Sequence, residues 1–219
     1  MKIGFILSAG GSSCFEALEL CRISTDKVHI VTDRQCSGLE IARTKGISNE
    51  LIDFTSKAEF SKLAAQSFKK NNCSVVILLF SRIVSSDLHE ELLTFNIHPS
   101  LLPAFPGFKA VERAAKAKTQ YQGATIHKVN DDIDGGKIVA QTIHPVEKNW
   151  DIKTLKRLSQ IQKTILILWF LEKYSSSSAQ KQTSSMDHNH WLVSPRFKNN
   201  QYSEYFARRL LELYPKSQI

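Results

Sequence analysis

The chain has 219 residues, of which 42% are hydrophobic and 23% are charged. These values are typical of a globular protein with its own core. No run reaches about 18 apolar residues, so we expect no membrane-spanning helix. The formal net charge of +8 suits an anionic partner. Because the lysines and arginines are scattered, a phosphorylated or polyglutamylated small molecule is favoured over a nucleic acid.

The cysteines and the first residues indicate the cellular compartment. The four cysteines have neither a CxxC pair nor the spacing of a metal site. This pattern predicts reduced thiols in a cytoplasmic protein, and no metal is expected. The apolar run after Met1 is too short for a secretory signal and ends in Gly10-Gly11, so we interpret it as a first buried strand.

The elements follow from apolar runs and helical periodicity. Apolar or alternating runs predict strands at residues 2–8, 28–32, 74–80, 123–129 and 137–146. Apolar residues at helical spacing predict helices at residues 13–21, 38–46, 58–70, 110–118 and 152–173. Because strands alternate with helices, the predicted fold class is α/β: an open, mostly parallel, doubly wound sheet with helices on both faces.

The composition changes near residue 175. We therefore predict one α/β domain over residues 1–174, a polar serine-rich linker over 175–188 and a tail over 189–219. Within the tail, residues 203–214 predict one amphipathic helix that begins at Ser203 as a possible cap. This helix has no core of its own, so it must dock on the domain, dock on a partner or remain loose. We expect docking on the same chain.

The segment between the first strand and the first helix is rich in glycine and serine. Glycine lets the backbone approach an anion, serine hydroxyls donate hydrogen bonds, and a helix N-terminus adds free N–H groups. Gly10, Gly11, Ser12 and Ser13 are therefore a candidate phosphate site. The segment matches neither GxGxxG nor GxxxxGKS/T, which does not favour a dinucleotide or nucleoside triphosphate. A simple turn explains this composition equally well.

Asn96, His98 and Asp134 are the candidate catalytic residues. The first two follow a strand-like segment, at the carboxyl end where open α/β sheets bind ligands, and Asp134 precedes a glycine pair. An amide donor, an imidazole and a carboxylate together can polarise a carbonyl and move protons, as acyl transfer to an amine requires. Each residue alone is more often structural. His127 fits a hydrogen-bonded core position, and His144 is expected at the surface with no role.

Five segments of the chain carry a family resemblance: SAGGSS (8–13), DRQCSGLEIARTKGI (33–47), SRIV (81–84), NIHPSLLPAFPG (96–107) and GATIHKVNDDIDGGKIVAQ (123–141). Together they resemble the folate-dependent formyltransferases, and most closely the glycinamide ribonucleotide formyltransferases of purine synthesis. The resemblance runs from residue 1 to about residue 171. The family fold, an open sheet of mostly parallel strands flanked by helices, agrees with the elements predicted above.

The resemblance implies that a formyl group passes from the co-substrate 10-formyltetrahydrofolate to an amine. It assigns the catalytic roles to Asn96, His98 and Asp134. Asn96 and protonated His98 would stabilise the developing oxyanion, while Asp134 would tune His98 and hold a water that relays protons. His127 matches a supporting histidine of the family.

The resemblance also implies binding residues. The folate pterin is expected between the backbone of Arg82-Ile83-Val84 and the loop Asp131-Asp132-Ile133-Asp134. Ser12 and Ser13, with the preceding glycines, are expected to bind the phosphate of the amine substrate. Lys57 is expected to face the same substrate.

Several positions depart from the family pattern. Ser13 replaces an asparagine of the phosphate loop, Leu79 a glycine before the folate segment, and Lys109 a histidine. The stretch 159–163 lacks the glutamate that normally contacts the substrate ribose. The catalytic residues are therefore retained while the acceptor pocket differs.

These differences leave several functions open. Glycinamide ribonucleotide is the first expectation for the acceptor. The missing glutamate and the tail leave open another amine, such as an amino sugar nucleotide, and water in place of the amine would give 10-formyltetrahydrofolate hydrolysis. The non-enzyme alternative is a folate- or phosphate-binding protein. The expected partners are small molecules, and the chain is expected to be a monomer or a homodimer.

Overall fold

The fold comes from a computed structural model, which describes residues 2–175, 192–194 and 200–214. The described residues form eight strands: β1 (Lys2–Leu7), β2 (Val28–Thr32), β3 (Ser48–Leu51), β4 (Cys73–Leu79), β5 (Leu93–His98), β6 (Tyr121–Lys128), β7 (Ile138–Pro145) and β8 (Leu192–Ser194). They also form seven α-helices: α1 (Ser12–Leu20), α2 (Ser37–Thr44), α3 (Lys57–Lys70), α4 (Ser86–His89), α5 (Ala110–Lys116), α6 (Ile152–Ser175) and α7 (Asn200–Leu211). None of the helices in this part of the chain is long and apolar enough to cross a membrane.

The strands form one sheet in the order β3-β2-β1-β4-β5-β6-β7-β8. β1 pairs in parallel with β2 and β4, β2 with β3, and β4 with β5, whereas β7 and β8 are antiparallel. This open, mostly parallel sheet confirms the predicted fold class. The chain moves outwards from β1 to β3 and returns to β4, so the strand order reverses between β1 and β4. Such a reversal marks the crevice in which open α/β sheets bind ligands.

The chain divides into two compact units, and the first consists of Met1–Ile97 and Ile126–Val139. Its central strands β1, β2 and β4 are almost entirely buried. Phe5, Ile30 and Ile77 on these strands are fully buried. A strand covered on both faces requires such a continuous apolar run, and each buried side chain of this size contributes about 1.5–3 kcal/mol.

The second unit, His98–Thr125 and Ala140–Ile219, contains α6, which has 24 residues. Apolar residues at helical spacing describe only the first half of this helix, where Leu155, Leu158 and Ile161 are buried while Lys156 and Arg157 are exposed. From Thr164 to Leu171 every residue is buried. Residues 164–171 of α6 are therefore enclosed on all sides, as a run that is apolar after Thr164 allows.

The tail helix α7 packs on α6 within the second unit. Phe206, Leu210 and Leu213 are buried, and Arg157 of α6 donates a hydrogen bond to Glu212 over 2.9 Å. The expected docking on the same chain is thus confirmed for this helix. Residues 176–188 of the predicted linker lie outside the described residues.

His144 corrects one expectation, because it is 4% exposed rather than at the surface. The alternation of β7 turns Ala140, Thr142 and His144 inward together. The imidazole stacks on Trp150 with ring centroids 5.8 Å apart, and its Nδ1 donates to the Pro145 carbonyl. Burial lowers the pKa of His144, since desolvation disfavours the charged ring.

A second buried histidine, His29 of β2, belongs to a polar network in the first unit. Its ring nitrogens lie 2.8 Å from Ser48 Oγ and 2.9 Å from Ser67 Oγ. Burial, assisted by the charge of Lys2, lowers the pKa of His29 to about 4, although Glu50 acts in the opposite direction. The folded chain therefore holds this imidazole neutral at pH values where the unfolded chain protonates it.

We expect this histidine to make the protein less stable in acid. Between its ordinary pKa of 6.5 and its folded pKa of about 4, the unfolded chain binds a proton that the folded chain does not. The free energy of unfolding therefore falls as the pH falls through this window, by up to about 1.4 kcal/mol per pH unit. The free energy of unfolding, measured by urea unfolding at several pH values in this window, should depend less steeply on pH in His29→Gln, whose amide does not titrate. Equal slopes for the two proteins would contradict this assignment.

Candidate active site

Several predicted site residues of the first unit lie at the carboxyl ends of β1, β4 and β5. Asn96 of β5 is in register with Leu78 of β4, one residue before that strand ends. The loops after β1 and β4 are joined, because the Ser81 N–H donates to Ser8 Oγ over 3.1 Å. The structure therefore places Asn96 and the two loops at the sheet edge where the strand order reverses.

The Asn96 side-chain amide contacts two other predicted residues. Its Nδ2 lies 3.1 Å from Asp134 Oδ1 and 3.2 Å from His127 Nε2. His127 Nε2 lies 3.4 Å from the same Asp134 oxygen. The His127 side chain is 3% exposed and that of Asp134 is 10% exposed. Three residues that are distant in sequence thus form one largely buried cluster.

The hydrogen-bond partners determine where the protons lie in this cluster. The Lys128 carbonyl can only accept, so His127 Nδ1, 3.2 Å away, carries a proton and donates it. In the neutral ring Nε2 is then an acceptor for the Asn96 amide. The Asp134 carboxylate is also an acceptor. Asn96 must therefore direct its NH₂ group, and not its oxygen, towards both partners.

A tight turn after β6 presents Asp134. Its φ is +54°, the left-handed region that aspartate tolerates better than most residues. At Gly136 a Cβ would lie only 1.7 Å from the Lys128 carbonyl oxygen, so no larger residue fits the turn as it stands. The glycine pair that marked Asp134 in the sequence is therefore needed to close the turn.

His98 is the last residue of β5 and belongs to the second unit. It is 5% exposed. Its Nε2 lies 2.8 Å from the Phe105 carbonyl oxygen, and because a carbonyl only accepts, Nε2 carries a proton and donates it. This contact holds the ring in one orientation and places one of its protons.

The predicted phosphate residues surround the start of α1. Gly11 precedes the helix with φ +63°, and its carbonyl accepts hydrogen bonds from Cys14 and Phe15 in the first turn. Ser12 is exposed and Ser13 is buried, while Gly10 is half-buried. The N–H groups that precede Cys14 have no acceptor within the helix, so this end of α1 can bind an anion.

The remaining predicted binding residues differ in exposure. Lys57 begins α3 and is exposed. Val84 is buried, whereas Ile83 is 37% exposed. In the turn before Asp134 the three residues Asp131-Asp132-Ile133 are exposed, and Asp131 lies 3.4 Å from His89 Nε2. The Lys57 side chain makes no hydrogen bond or ion pair with any residue in the described part of the chain.

One charged group at this edge, the Asp33 carboxylate after β2, was not predicted from the sequence. Its buried oxygens accept from Arg34 Nη2 at 2.5 Å and from Arg82 Nε at 2.8 Å. Burial alone would raise the pKa of Asp33, but the hydrogen bonds and charge of Arg34, with Arg82 and Ser8, lower it overall. An Asp-Arg pair directly after a buried strand was the available signal, since parallel strands end at one edge.

Arg82 itself makes a second contact. Its guanidinium carbon lies 4.3 Å from the centroid of the Phe54 ring, within cation–π range. The side chain is thus held between Asp33 and Phe54, although the sequence pointed only to its backbone. The cluster leaves one net positive charge beside the loop at Ser8.

Comparison with known proteins identifies a family. A sequence profile of the formyl transferase family matches residues 1–168. The phosphoribosylglycinamide formyltransferase of Escherichia coli (strain K12) is 30% identical over 156 residues, which cover 67% of this chain and 74% of that protein. The phosphoribosylglycinamide formyltransferase of Bacillus subtilis (strain 168) is 28% identical over 169 residues, covering 72% of this chain and 86% of that protein.

Other relatives extend the comparison. The crystal structure of phosphoribosylglycinamide formyltransferase from Bacillus halodurans is 27% identical with a TM-score of 0.74, covering 81% of this chain and 96% of that chain. The trifunctional purine biosynthetic proteins adenosine-3 of Bos taurus and Homo sapiens are 29% and 26% identical. Those matches cover 70% and 82% of this chain but only 16% and 19% of the trifunctional proteins.

The turn that carries Asp134 gives a direct test of the cluster. In Gly136→Ala the added methyl group must displace the backbone at Lys128, which we expect to lower the free energy of unfolding by about 1–3 kcal/mol. The turn shifts with it, so the Asn96 side-chain NH₂ signals in a ¹⁵N correlation spectrum should move.

Gly46→Ala is the comparison variant, because a Cβ at Gly46 meets nothing within 4 Å. It should lose stability through its positive φ while leaving the Asn96 signals in place. Unmoved Asn96 signals in Gly136→Ala would contradict the link between the turn and the amide.

Proposed function

Because the chain belongs to the formyl transferase family, we propose that it transfers a formyl group from 10-formyltetrahydrofolate to the primary amine of a phosphorylated small molecule. We favour glycinamide ribonucleotide in purine biosynthesis as the acceptor, since the relatives of similar length are named phosphoribosylglycinamide formyltransferases. The observation that carries the proposal is the contact of the Asn96 amide with Asp134 and His127. An amide donor is held there beside a carboxylate and an imidazole, and acyl transfer to an amine needs such a donor for the oxyanion and such a group to accept a proton.

Asn96 is the hydrogen-bond donor in this proposal. When bound, 10-formyltetrahydrofolate supplies the electrophilic formyl carbon. Asn96 Nδ2 donates to the formyl oxygen as negative charge develops there. Both N–H groups of Asn96 are already engaged, so one must change partner. A hydrogen bond to a carboxylate is stronger than one to a neutral ring, and we therefore expect the bond to His127, not that to Asp134, to be exchanged.

In this proposal His98 stabilises the developing negative charge and Asp134 accepts a proton. His98 Nε2 holds a proton against the Phe105 carbonyl, so Nδ1 is the ring nitrogen that gains and loses one. The doubly protonated ring stabilises the same developing negative charge. Asp134, held by Asn96, accepts the proton that the attacking amine releases, directly or through a water. As the tetrahedral intermediate collapses, the bond between the formyl carbon and the folate nitrogen breaks, and that nitrogen takes up the proton returned by Asp134 or the water, so that tetrahydrofolate is released.

The binding residues fit the two substrates by their chemistry. Ile83 is 37% exposed and Ile133 is 57% exposed, so both segments assigned to the folate present apolar surface suited to a flat heterocycle. At the start of α1, Gly10, Gly11, Ser12 and Ser13 suit the acceptor phosphate. Lys57 is exposed and cationic, which suits the same anion.

One observation favours a different acceptor as the second candidate. The stretch 159–163 has no carboxylate to hold a ribose, and two of its polar side chains are turned inward, with Ser159 3% and Gln162 1% exposed. Gln162 Nε2 instead donates to the Gln122 carbonyl over 2.8 Å. Another amine, such as an amino sugar nucleotide, is therefore the alternative substrate. Cytoplasmic location and a monomeric or homodimeric state stay predictions.

The acceptor is tested by following tetrahydrofolate release from 10-formyltetrahydrofolate. We expect release with glycinamide ribonucleotide and none without an acceptor. Release only with amino sugar nucleotides would show formyl transfer to a different acceptor. Release without any acceptor would indicate hydrolysis. No release under any condition, with folate still bound, would indicate a binding protein.

The catalytic assignment is tested by Asn96→Ala, His98→Ala and Asp134→Asn. Loss of an oxyanion donor costs about 100- to 1000-fold in kcat, so we expect a loss of this size for Asn96→Ala. Asn149→Ala, at an exposed loop residue, is the control and should keep wild-type turnover. Near-normal kcat in Asn96→Ala would show that the cluster is structural.

A further inference from the structure

The loop between β5 and α5 holds His98 in the second unit. Phe105 accepts the His98 hydrogen bond with its carbonyl group and has a φ of +54°, a strained value for an aromatic residue. Such a conformation persists only where the surroundings impose it. The residues that impose it therefore control the carbonyl that orients His98.

One of these residues is Ser100, which is 3% exposed. Its hydroxyl donates to the Ala104 carbonyl over 2.6 Å and lies 3.5 Å from the Phe105 carbonyl oxygen. A hydroxyl has one proton, and the short contact takes it. His98 is therefore the closer donor to the Phe105 carbonyl, and Ser100 acts on Phe105 through the preceding residue, Ala104.

Arg113 of α5 holds the other side of the loop. Its Nη2 donates to the Pro106 carbonyl and lies 3.4 Å from the Gly107 carbonyl oxygen. Its guanidinium carbon is 6.0 Å from the centroid of the Phe105 ring. These contacts hold the carbonyl groups of the two residues after Phe105 and approach the Phe105 side chain as well. A cationic donor to backbone oxygens makes stronger hydrogen bonds than a neutral one.

We propose that Arg113 is a positioning residue for His98. Arg113 binds the carbonyl groups of the two residues after Phe105. The Phe105 carbonyl thereby stays in the position from which it accepts the hydrogen bond of His98 Nε2. Proton exchange then takes place at Nδ1 alone. The effect of Arg113 on turnover rests on the proposed catalytic role of His98. Its effect on the proton position of the His98 ring does not.

The test compares Arg113→Gln and Arg113→Lys with the Lys116→Gln control. Lys116 is an exposed cation on the same helix and contacts no loop carbonyl in the described part of the chain. The ¹⁵N signals of the His98 ring report the tautomer, and steady-state kinetics separate kcat from KM. Thermal unfolding verifies that each variant is folded.

We expect wild type and Lys116→Gln to show the Nε2–H tautomer of neutral His98 and equal kcat values. Arg113→Gln should show a mixture of tautomers and about a tenfold lower kcat with KM for both substrates nearly unchanged, because a small misplacement of a reacting group lowers the rate rather than binding. Arg113→Lys keeps the charge and one donor, so it should retain much of the wild-type tautomer and kcat.

Two results would overturn the proposal: an unchanged His98 tautomer in folded Arg113→Gln, or a raised KM with kcat intact. If Arg113→Gln fails to fold, Arg113→Lys with wild-type tautomer signals but no recovery of kcat would overturn it equally. His98→Ala separates the two levels of inference. Full turnover in that variant contradicts the catalytic role of His98, while the tautomer of Arg113→Gln still decides the role of Arg113.

Discussion

The site depends on one shared amide group, the Asn96 NH₂ between Asp134 and His127. Both partners are constrained by the same backbone atom, the Lys128 carbonyl oxygen. It accepts from His127 Nδ1, and it is also the atom against which Gly136 closes the turn that carries Asp134. A single peptide group at the end of β6 thereby sets the imidazole proton and the carboxylate position. This explains how three polar side chains can be largely buried without an unsatisfied donor.

The charged groups of the first unit leave a net positive charge at the same edge of the sheet. Two guanidinium groups, from Arg34 and Arg82, converge on the buried Asp33 carboxylate, which leaves one positive charge at the edge of the sheet in the first unit. The start of α1 adds the positive end of a helix dipole. Together with the net charge of +8 this favours the approach of anionic substrates, the class that a phosphorylated amine and a folate share. The charge distribution thus agrees with the proposed reaction but does not itself distinguish between phosphorylated acceptors.

The elements with a strong sequence pattern were predicted, and the short strands without one were not. Buried strands such as β1 and β4 are long apolar runs, whereas β3 is the four-residue edge strand Ser-Asn-Glu-Leu, which carries no such signal. β8 has only three residues and depends on pairing with β7. At the site, motif and strand position predicted Asn96, His98 and Asp134 as candidates. The Asp33–Arg82 ion pair and the hydrogen bond from Arg113 to the Pro106 carbonyl are tertiary contacts, and no spacing along the chain encodes them.

The proposed reaction requires Asn96 to donate to the formyl oxygen while Asp134 keeps the Asn96 amide in place. A crystal structure with a stable 10-formylfolate analogue bound would show this contact. We predict Asn96 Nδ2 within hydrogen-bond distance of both the formyl oxygen and Asp134 Oδ1, with its bond to His127 lost. An Asn96 amide that keeps both internal partners while the formyl oxygen binds elsewhere would contradict this role of Asn96.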